Sequence, residues 1–190
     1  MNYKEIGKDI YLFKKLLTKK ECDFIIETVE KFPAWEDAKT FGDLEDYRKT
    51  QVDYLTNRYG ENSQLYKAHS IIGYNFKIAF EMLMDIYKNE EMNKSYLAYN
   101  GDEGVQILKY GPNQFYKEHI DSAINTKRMH SSILYLNNEY EGGNTEFKRQ
   151  KVSLKAEIGD LVIFPSFYTH PHCSQEIKSG NKYVAVIWSF

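Results

Sequence analysis

Cysteine is scarce in this chain of 190 residues, which contains only Cys22 and Cys173. Two cysteines so far apart do not form the disulfide framework of a small secreted domain, so we expect an intracellular, reducing compartment. The chain also has no uninterrupted apolar run long enough to span a bilayer, and residues 1–5 contain no apolar segment of a signal peptide. These absences together favour a cytoplasmic protein without a membrane partner.

An excess of basic residues is also missing, because 25 lysines and arginines stand against 27 aspartates and glutamates. The net charge of −2 provides no basic surface of the kind that nucleic-acid-binding proteins use, which argues against a nucleic-acid partner. Hydrophobic residues at 42% and charged residues at 27% are ordinary for a globular protein. The length fits a single domain, 1–190, that is large enough to bury a core.

The chain divides into a helical half and a strand-rich half. Thr18 and Glu21 form a capping-box pattern, and apolar residues spaced three or four positions apart follow it, which predicts a helix. Residues 65–87 contain no proline and have dense apolar spacing, which predicts a second, long helix. Residues 33–62 between them are polar and irregular, and we interpret them as a mobile segment. We therefore predict that residues 1 to about 95 form a mainly helical flank and lid.

Residues 103–190 consist of short apolar segments whose bulky and branched side chains suit strands, separated by turn residues. The predicted strands are 105–110, 131–136, 161–164 and 183–188, with turns at Gly111-Pro112-Asn113, Asn137-Asn138, Gly142-Gly143-Asn144 and Pro165. Helices followed by many short strands indicate an α+β layout, or an all-β barrel with a helical flank.

Four of the five histidines lie in the strand-rich half, and one of them forms His119-Ile120-Asp121. On an extended backbone His119 and Asp121 point to the same face and can reach one ion together. A second histidine from a distant strand would complete the facial triad of non-haem iron(II) oxygenases, which leaves coordination positions open. His170 and His172 share strand parity, so alternation does not choose between them. A single His-x-Asp tripeptide is weak support for a metal site, because a surface histidine beside a solvated acid gives the same pattern.

Several longer segments around these residues resemble the prolyl 4-hydroxylase branch of the iron(II)- and 2-oxoglutarate-dependent dioxygenases. They occur in the family's order and cover nearly the whole chain. The matching segments are Glu103–Pro112, Tyr116–Asp121, Arg128, Tyr135–Asn137, Tyr140–Phe147 and Gly159–Ser166, followed by His172–Gly180, Lys182, Tyr183 and Trp188. The resemblance implies a double-stranded β-helix, or jelly-roll, core over residues 103–190 with N-terminal flanking helices.

The same resemblance assigns roles to individual residues, beginning with the metal. His119, Asp121 and His172 match the iron ligands, and the position of Lys182 favours His172 over His170 as the third ligand. The resemblance thus implies iron(II) as the bound metal and these three side chains as the catalytic centre.

The co-substrate is also implied by matching residues. Lys182 matches the basic residue that binds the distal carboxylate of 2-oxoglutarate, where a charge-assisted hydrogen bond gives a strong anchor. It shares strand parity with Val184, Val186 and Trp188, so its side chain is expected to point the same way as these apolar neighbours. Tyr135 matches the tyrosine whose hydroxyl binds the same carboxylate, with a purely structural core aromatic as the alternative.

Three further residues are hypotheses about substrate recognition. Arg128 matches a side chain at the mouth of a peptide groove, and Tyr110 and Trp188 match aromatic residues near the substrate, with ordinary packing as the alternative for all three. The chain departs from the family pattern at Asn113 and at 176–177, where the family commonly has glycine and a Pro-Val pair. These departures concern the pocket rim, and they bear on substrate identity more than on activity.

The activity implied by the resemblance is that of a procollagen-proline 4-dioxygenase. Such an enzyme hydroxylates a prolyl residue in a peptide or protein with O₂ and releases succinate and CO₂, with ascorbate as the reductant. We expect residues 33–62 and 122–130 to close over the bound peptide. Two alternatives stay open: the same chemistry on another side chain, a free amino acid or a nucleobase, and a non-catalytic jelly-roll that binds a metal or a peptide.

Overall fold

The computed structural model describes residues 2–39, 47–89, 100–123 and 125–190. They include the helices α1 (Lys19–Lys31), α2 (Leu55–Arg58) and α3 (Ser63–Asn89). Thr18 and Glu21 form the predicted capping box, in which the Glu21 N–H donates to Thr18 Oγ1 at 3.3 Å and the Thr18 N–H donates to Glu21 Oε2 at 2.8 Å. The predicted long helix is confirmed and lies within α3. Within these ranges, no helix combines the length and apolar character needed to cross a membrane.

The strands form two larger antiparallel sheets and a separate two-stranded pair. In chain order the strands are β1 (Asn2–Gly7), β2 (Ile10–Lys14), β3 (Glu36–Asp37), β4 (Arg48–Lys49), β5 (Gln51–Asp53), β6 (Gln106–Tyr110), β7 (Phe115–His119), β8 (His130–Tyr135), β9 (Tyr140–Gly142), β10 (Thr145–Phe147), β11 (Val152–Leu154), β12 (Leu161–Pro165), β13 (His172–Ser174), β14 (Ile177–Gly180) and β15 (Lys182–Ser189). The eight-stranded sheet has the order β1-β2-β12-β8-β15-β6-β5-β3, and the five-stranded sheet has the order β11-β10-β13-β7-β4. The chain thus has the predicted jelly-roll core with flanking helices.

Alternation along the strands divides the core into two layers. One layer joins the helices to the large sheet, where Ile25 of α1 and Ile72 of α3 belong to the same cluster as Leu134 of β8. The other layer joins the two sheets and includes Tyr135 of β8 and Phe147 of β10. Leu134 and Tyr135 are neighbours with opposite directions, so a single strand supplies both layers. The layer between the sheets contains the candidate site.

Two strands at the start of the chain were not predicted. The residues Ile10–Phe13 of β2 are all buried, and β2 pairs with β12 within the large sheet. Tyr11 and Phe13 face the helix layer, whereas Ile10 and Leu12 face the layer between the sheets. A strand buried on both faces is a continuous apolar run without a period of two, so it gives no clear strand signal. The prediction of a mainly helical flank is therefore wrong for residues 2–14.

The interpretation of 33–62 as an irregular lid is wrong for residues 48–58. In this part β5 pairs with both β3 and β6, and β4 pairs with β7, so the segment extends both sheets. Val52 is buried, and the buried Asp53 carboxylate forms an ion pair with Arg58. Strands of two or three residues are too short to show a period, which is why the sequence pattern missed them. The central part of the predicted lid, 40–46, lies outside the described residues.

Candidate metal centre and its pocket

Three potential metal ligands meet where two strands of the smaller sheet pair. His119 ends β7, His172 begins β13, and the two residues are directly opposite each other in the antiparallel pairing. Asp121 follows shortly after β7, and one donor atom from each residue lies within 4.8 Å of the others. His119 Nε2 is 3.5 Å from Asp121 Oδ1, and His172 Nε2 is 3.4 Å from Asp121 Oδ2. The structure therefore brings together the three residues that the sequence predicts as ligands.

Hydrogen bonds on the far side of each ring direct both histidines toward the cluster. His119 Nδ1 lies 2.8 Å from the Lys117 carbonyl oxygen, and His172 Nδ1 lies 3.2 Å from the His170 carbonyl oxygen. A carbonyl can only accept, so Nδ1 carries the proton and Nε2 keeps its lone pair for a ligand. The His119 ring also stacks on Tyr116 with 3.4 Å between ring centroids. These contacts fix ring orientation and tautomer in the way that metal-binding histidines require.

The charge states of these groups also suit a divalent cation. Burial raises the pKa of Asp121, but the nearby His172, then His119 and the Ser131 hydroxyl, outweigh it and hold the pKa well below its ordinary value. Burial, with a smaller contribution from His119, lowers the pKa of His172 to about 4. At neutral pH Asp121 is thus a carboxylate and His172 a neutral imidazole, the forms in which these side chains bind metals. This donor set fits iron(II), because two imidazoles and one carboxylate leave open coordination positions.

His170, the alternative third ligand, lies away from the cluster. It belongs to the turn before β13 and not to the strand itself. Its Nε2 is 2.9 Å from the Lys8 carbonyl oxygen, and its Nδ1 is 2.9 Å from Thr169 Oγ1. Both nitrogens therefore have partners elsewhere, and His172 is the histidine that the fold presents to Asp121.

A cavity of about 430 Å³ opens beside the three residues and extends between the sheets. Lys182, Val184, Val186 and Trp188 of β15 all line it, as the strand alternation predicts. The volume is within the range of small-molecule sites, and the wall combines apolar and aromatic side chains with several charged and polar ones. A cavity of this size and composition can admit a small, charged co-substrate.

Lys182 is the buried cation of this cavity. Its side chain is 2% exposed, and its Nζ donates to the Gly143 carbonyl oxygen at 2.6 Å and to Ser174 Oγ at 3.1 Å. Burial lowers the pKa of Lys182 to about 7. No ion pair between described residues involves Lys182. A buried ammonium with only neutral partners fits the binding of an anionic ligand, because a carboxylate would restore its charged form.

Tyr135 and Tyr110 flank Lys182, with ring centroids 5.5 Å and 5.6 Å from its Nζ. The Tyr135 hydroxyl donates to Thr145 Oγ1 at 2.7 Å, so it has a protein partner already. Tyr110 is buried and lines the cavity. Tyr110 therefore faces the cavity, whereas Tyr135 is beside Lys182 but is not one of the residues that line it, and both pack as core aromatics.

Arg128 is closer to the metal cluster than the sequence suggested. Its guanidinium forms two hydrogen bonds with the Glu103 carboxylate, at 2.8 Å and 2.6 Å, and stacks 3.6 Å from the centroid of a Trp188 ring. A third hydrogen bond joins Nη1 to the Asp121 carbonyl oxygen at 3.1 Å. Arg128 therefore lines the cavity and also contacts the backbone of a predicted ligand. This contact with Asp121 was not visible in the sequence.

Sequence reasoning missed two other residues of the site. Ser131 of β8 donates to Asp121 Oδ2 at 2.5 Å, and its pocket-facing direction could have been inferred from the parity that it shares with Tyr135. Arg48 of β4 lines the cavity and lies 4.5 Å from the centroid of the Tyr116 ring. Nothing in the local pattern marks Arg48, because β4 has only two residues and enters the site by pairing with β7.

Comparisons with known proteins agree with this fold. Residues 105–190 match the family model of the 2OG-Fe(II) oxygenase superfamily. A PKHD-type hydroxylase from Prochlorococcus marinus (strain NATL2A) is 30% identical over 192 aligned positions, which cover 94% of this chain and 76% of that protein. The chain therefore belongs to the 2-oxoglutarate- and iron(II)-dependent oxygenase superfamily.

Prolyl hydroxylases are among the similar proteins. A protein of Acanthamoeba polyphaga mimivirus, named provisionally as a prolyl 4-hydroxylase, is 29% identical over 156 residues, or 67% of this chain. This chain spans 64% of that relative's length. The crystal structure of a viral collagen prolyl hydroxylase from Paramecium Bursaria Chlorella virus-1 superposes with a TM-score of 0.70 and 22% identity, covering 96% of both chains. At that identity the superposition shows a common fold.

Proposed function

We propose that this chain is a single-domain iron(II)- and 2-oxoglutarate-dependent dioxygenase that hydroxylates prolyl residues in a peptide or protein. The observation that carries the proposal is the position of His119, Asp121 and His172 beside a cavity with a buried lysine, Lys182. A cluster of metal ligands or a buried lysine also occurs by itself in proteins with other functions. Together they provide a metal site with open positions and a cation within the same cavity for the second carboxylate of a dicarboxylic acid.

His119, Asp121 and His172 would hold the metal. Iron(II) held there would supply, with 2-oxoglutarate and O₂ as co-substrates, the oxidation of a substrate C–H bond to an alcohol, with 2-oxoglutarate released as succinate and CO₂. The carboxylate of Asp121 would neutralise part of the metal's charge, and the Nε2 atoms of the two imidazoles would complete the protein ligands. The other residues of the site would position the substrates and shield them from water, as in other enzymes that use a cofactor.

Lys182, a buried residue of the cavity wall, would bind the distal carboxylate of 2-oxoglutarate. The ammonium is held in place by Gly143 and Ser174, so the ligand meets a cation that is already oriented. Tyr135 would add a hydrogen bond to the same carboxylate through its hydroxyl, which now donates to Thr145. The apolar wall of Val184 and its neighbours on β15 would keep water from this ion pair and so strengthen it.

Arg128, Tyr110 and Trp188 would contact the peptide. Arg128 and Trp188 form one stacked surface, and all three residues line the cavity. Ascorbate as the reductant and a cytoplasmic setting remain expectations. The prolyl substrate is supported by the prolyl 4-hydroxylases among the similar proteins.

The direct test is mass spectrometry of proline-rich peptides incubated with the protein, iron(II), 2-oxoglutarate and O₂. We expect a gain of one oxygen atom on proline together with equimolar succinate. Hydroxylation of a different side chain would contradict the prolyl substrate and leave the dioxygenase activity standing. Absence of 2-oxoglutarate turnover with every substrate would contradict the enzymatic function itself.

Single substitutions provide the matched controls for that experiment. We expect His119→Ala, Asp121→Ala and His172→Ala each to abolish 2-oxoglutarate decarboxylation, because three protein ligands are needed for the site. His170→Ala should keep most of it, since both His170 nitrogens bond elsewhere. Full activity in His172→Ala with loss in His170→Ala would overturn the ligand assignment.

A further inference from the structure

The carboxylate of Asp121 is held by a hydroxyl group from the opposite sheet. Ser131 lies on β8 of the large sheet, between Phe164 of β12 and Trp188 of β15 in the strand pairing. Its side chain is fully buried, and its Oγ is 2.5 Å from Asp121 Oδ2. The bond therefore crosses from one sheet to the other at the metal cluster. Of the two carboxylate oxygens, Oδ2 receives this hydrogen bond and Oδ1 does not.

A second serine completes the arrangement behind Ser131. Ser166, directly after β12, is also buried, and its Oγ lies 2.8 Å from the Ser131 Oγ. Ser166 is itself fixed by its backbone, because its N–H donates to the Met129 carbonyl at 2.9 Å and its carbonyl accepts from the Ser122 N–H at 3.0 Å. The Ser166 hydroxyl can thus donate to the Ser131 Oγ, and the Ser131 hydroxyl in turn donates to Asp121.

We infer that Ser131, supported by Ser166, is a positioning residue that orients the Asp121 carboxylate for binding a metal ion. Asp121 lies beyond the end of β7, where the strand pairing no longer fixes its side chain. Its backbone carbonyl is held by Arg128 and its Oδ2 by Ser131, so both ends of the residue are restrained. The hydrogen bond to Oδ2 restrains the rotation of the carboxylate, whose Oδ1 and Oδ2 lie 3.5 Å and 3.4 Å from the Nε2 atoms of the two histidines. Hydrogen bonds to ligating carboxylates contribute strongly to metal affinity in this way.

The neighbouring residue offers a matched control. Ser132 follows Ser131 on the same strand, is buried to the same degree, and points to the opposite face of the sheet. Its Oγ has no hydrogen-bond partner within the part of the chain that the structure describes. Ser132→Ala therefore makes the same chemical change in the same strand without touching Asp121.

The test measures metal affinity directly, and it rests on the proposed metal site. The metal-free protein is titrated with Mn²⁺ alone, and free Mn²⁺ is followed by electron paramagnetic resonance. We expect Ser131→Ala to raise the Kd for Mn²⁺ by about 10- to 100-fold, the range typical for removing a partner of a metal ligand. Ser132→Ala should leave the Kd unchanged, and the urea midpoints of all metal-free variants should show that they are folded.

A double substitution tests the supporting role of Ser166. If Ser166 acts on the metal only through Ser131, the Kd of Ser131→Ala/Ser166→Ala should equal that of Ser131→Ala alone. A Kd for Ser131→Ala within twofold of the parent protein, roughly 0.4 kcal/mol by the affinity relation, would overturn the inference. If Ser131→Ala has this small effect while His119→Ala abolishes Mn²⁺ binding, the inference about Ser131 fails and the proposed function stands. Equal Mn²⁺ binding by the parent and by His119→Ala would instead refute the metal site.

Discussion

Lys182 places a positive charge inside an apolar cavity where its protein partners are a carbonyl oxygen and a hydroxyl group. Such a group costs folding free energy unless a negative ligand joins it, since burial disfavours the charged form. The lowered pKa of about 7 expresses that cost. At the scale of single residues, Lys182 is therefore explained better by ligand binding than by stability.

The contrast between Lys182 and Tyr135 gives a first prediction. We expect Lys182→Ala to raise the Michaelis constant for 2-oxoglutarate at least about tenfold, because a hydrogen bond to a charged group contributes more than a neutral one. Tyr135→Phe removes one neutral hydrogen bond, and its effect should be about fivefold or less. Steady-state decarboxylation at varied 2-oxoglutarate measures both constants. Equally small effects of the two substitutions would mean that the carboxylate is anchored elsewhere.

The first helix shows how a local pattern stabilises an element far from the site. Thr18 and Glu21 satisfy each other's backbone N–H groups at the start of α1. We expect Thr18→Ala to lower the free energy of unfolding by about 1 kcal/mol, the usual contribution of an N-cap side chain. Thr18→Ser keeps the hydroxyl and should retain most of that stability. Urea unfolding measures both variants, and a Thr18→Ala protein as stable as Thr18→Ser would contradict the role of the cap.

The turn between β9 and β10 links a structural glycine to the co-substrate site. Gly143 has a φ of 65°, and a Cβ there would overlap Ile177 Cδ1 and lie 3.4 Å from Lys182 Cδ. Its carbonyl also accepts the Lys182 hydrogen bond. We expect Gly143→Ala to lower stability and to raise the Michaelis constant for 2-oxoglutarate, because the turn and the lysine must shift together.

Gly73 in α3 is the control for that substitution. A Cβ at Gly73 meets no atom within 4 Å, and its φ is not in the left-handed region. Gly73→Ala should therefore stabilise the helix by about 0.5–1 kcal/mol and leave the Michaelis constant unchanged. If Gly143→Ala changed stability alone, with normal kinetics, its carbonyl would not be needed to orient Lys182.

The whole molecule combines groups from both sheets in one site. His119 and His172 come from the smaller sheet, whereas Ser131 and Lys182 come from the large sheet. Asp121 is the point where they join, through its hydrogen bond to Ser131. The orientation of Asp121, and with it the geometry of the metal site, would therefore depend on how the two sheets pack.

Lys182 also affects the stability of the whole fold, in a way that depends on pH. Its pKa is about 7 in the folded chain and near 10.5 when unfolded, so between these values the unfolded state binds more protons. Stability should therefore rise with pH across this window, and the cost of burying the lysine is fully present below about pH 7. Lys182→Met removes that cost, and without 2-oxoglutarate the variant should be more stable than the parent at neutral pH.

The measurement is urea unfolding of both proteins at several pH values. The advantage of Lys182→Met should shrink by up to about 1.4 kcal/mol per pH unit as the pH rises from about 7 toward about 10. With Mn²⁺ present in both samples, adding 2-oxoglutarate should stabilise the parent more than the variant, because only the parent keeps the ammonium that would bind the distal carboxylate. A pH-independent difference between the two proteins would show that Lys182 is charged equally in both states.

Local patterns determined a large part of this protein. The capping box at Thr18, the long helix within 63–89 and the main strands of the second half follow from periodicity and turn residues alone. The direction of the Lys182 side chain follows from the two-residue period of β15. These features depend on residues that are neighbours in the chain, and for that reason the sequence displays them.

Tertiary structure decided the remainder. His170 and His172 are equivalent by parity, and only the pairing of β13 with β7 brings His172 to Asp121 while His170 stays in the preceding turn. The hydrogen bonds of Arg128 and Ser131 with Asp121 likewise form only when the two sheets pack together in the folded chain. Because β2 is buried on both faces, its sequence does not alternate between apolar and polar residues. The two-residue strand β4 is defined by its pairing with β7 and not by a sequence pattern. Such contacts depend on distances between remote parts of the chain, which a linear pattern does not encode.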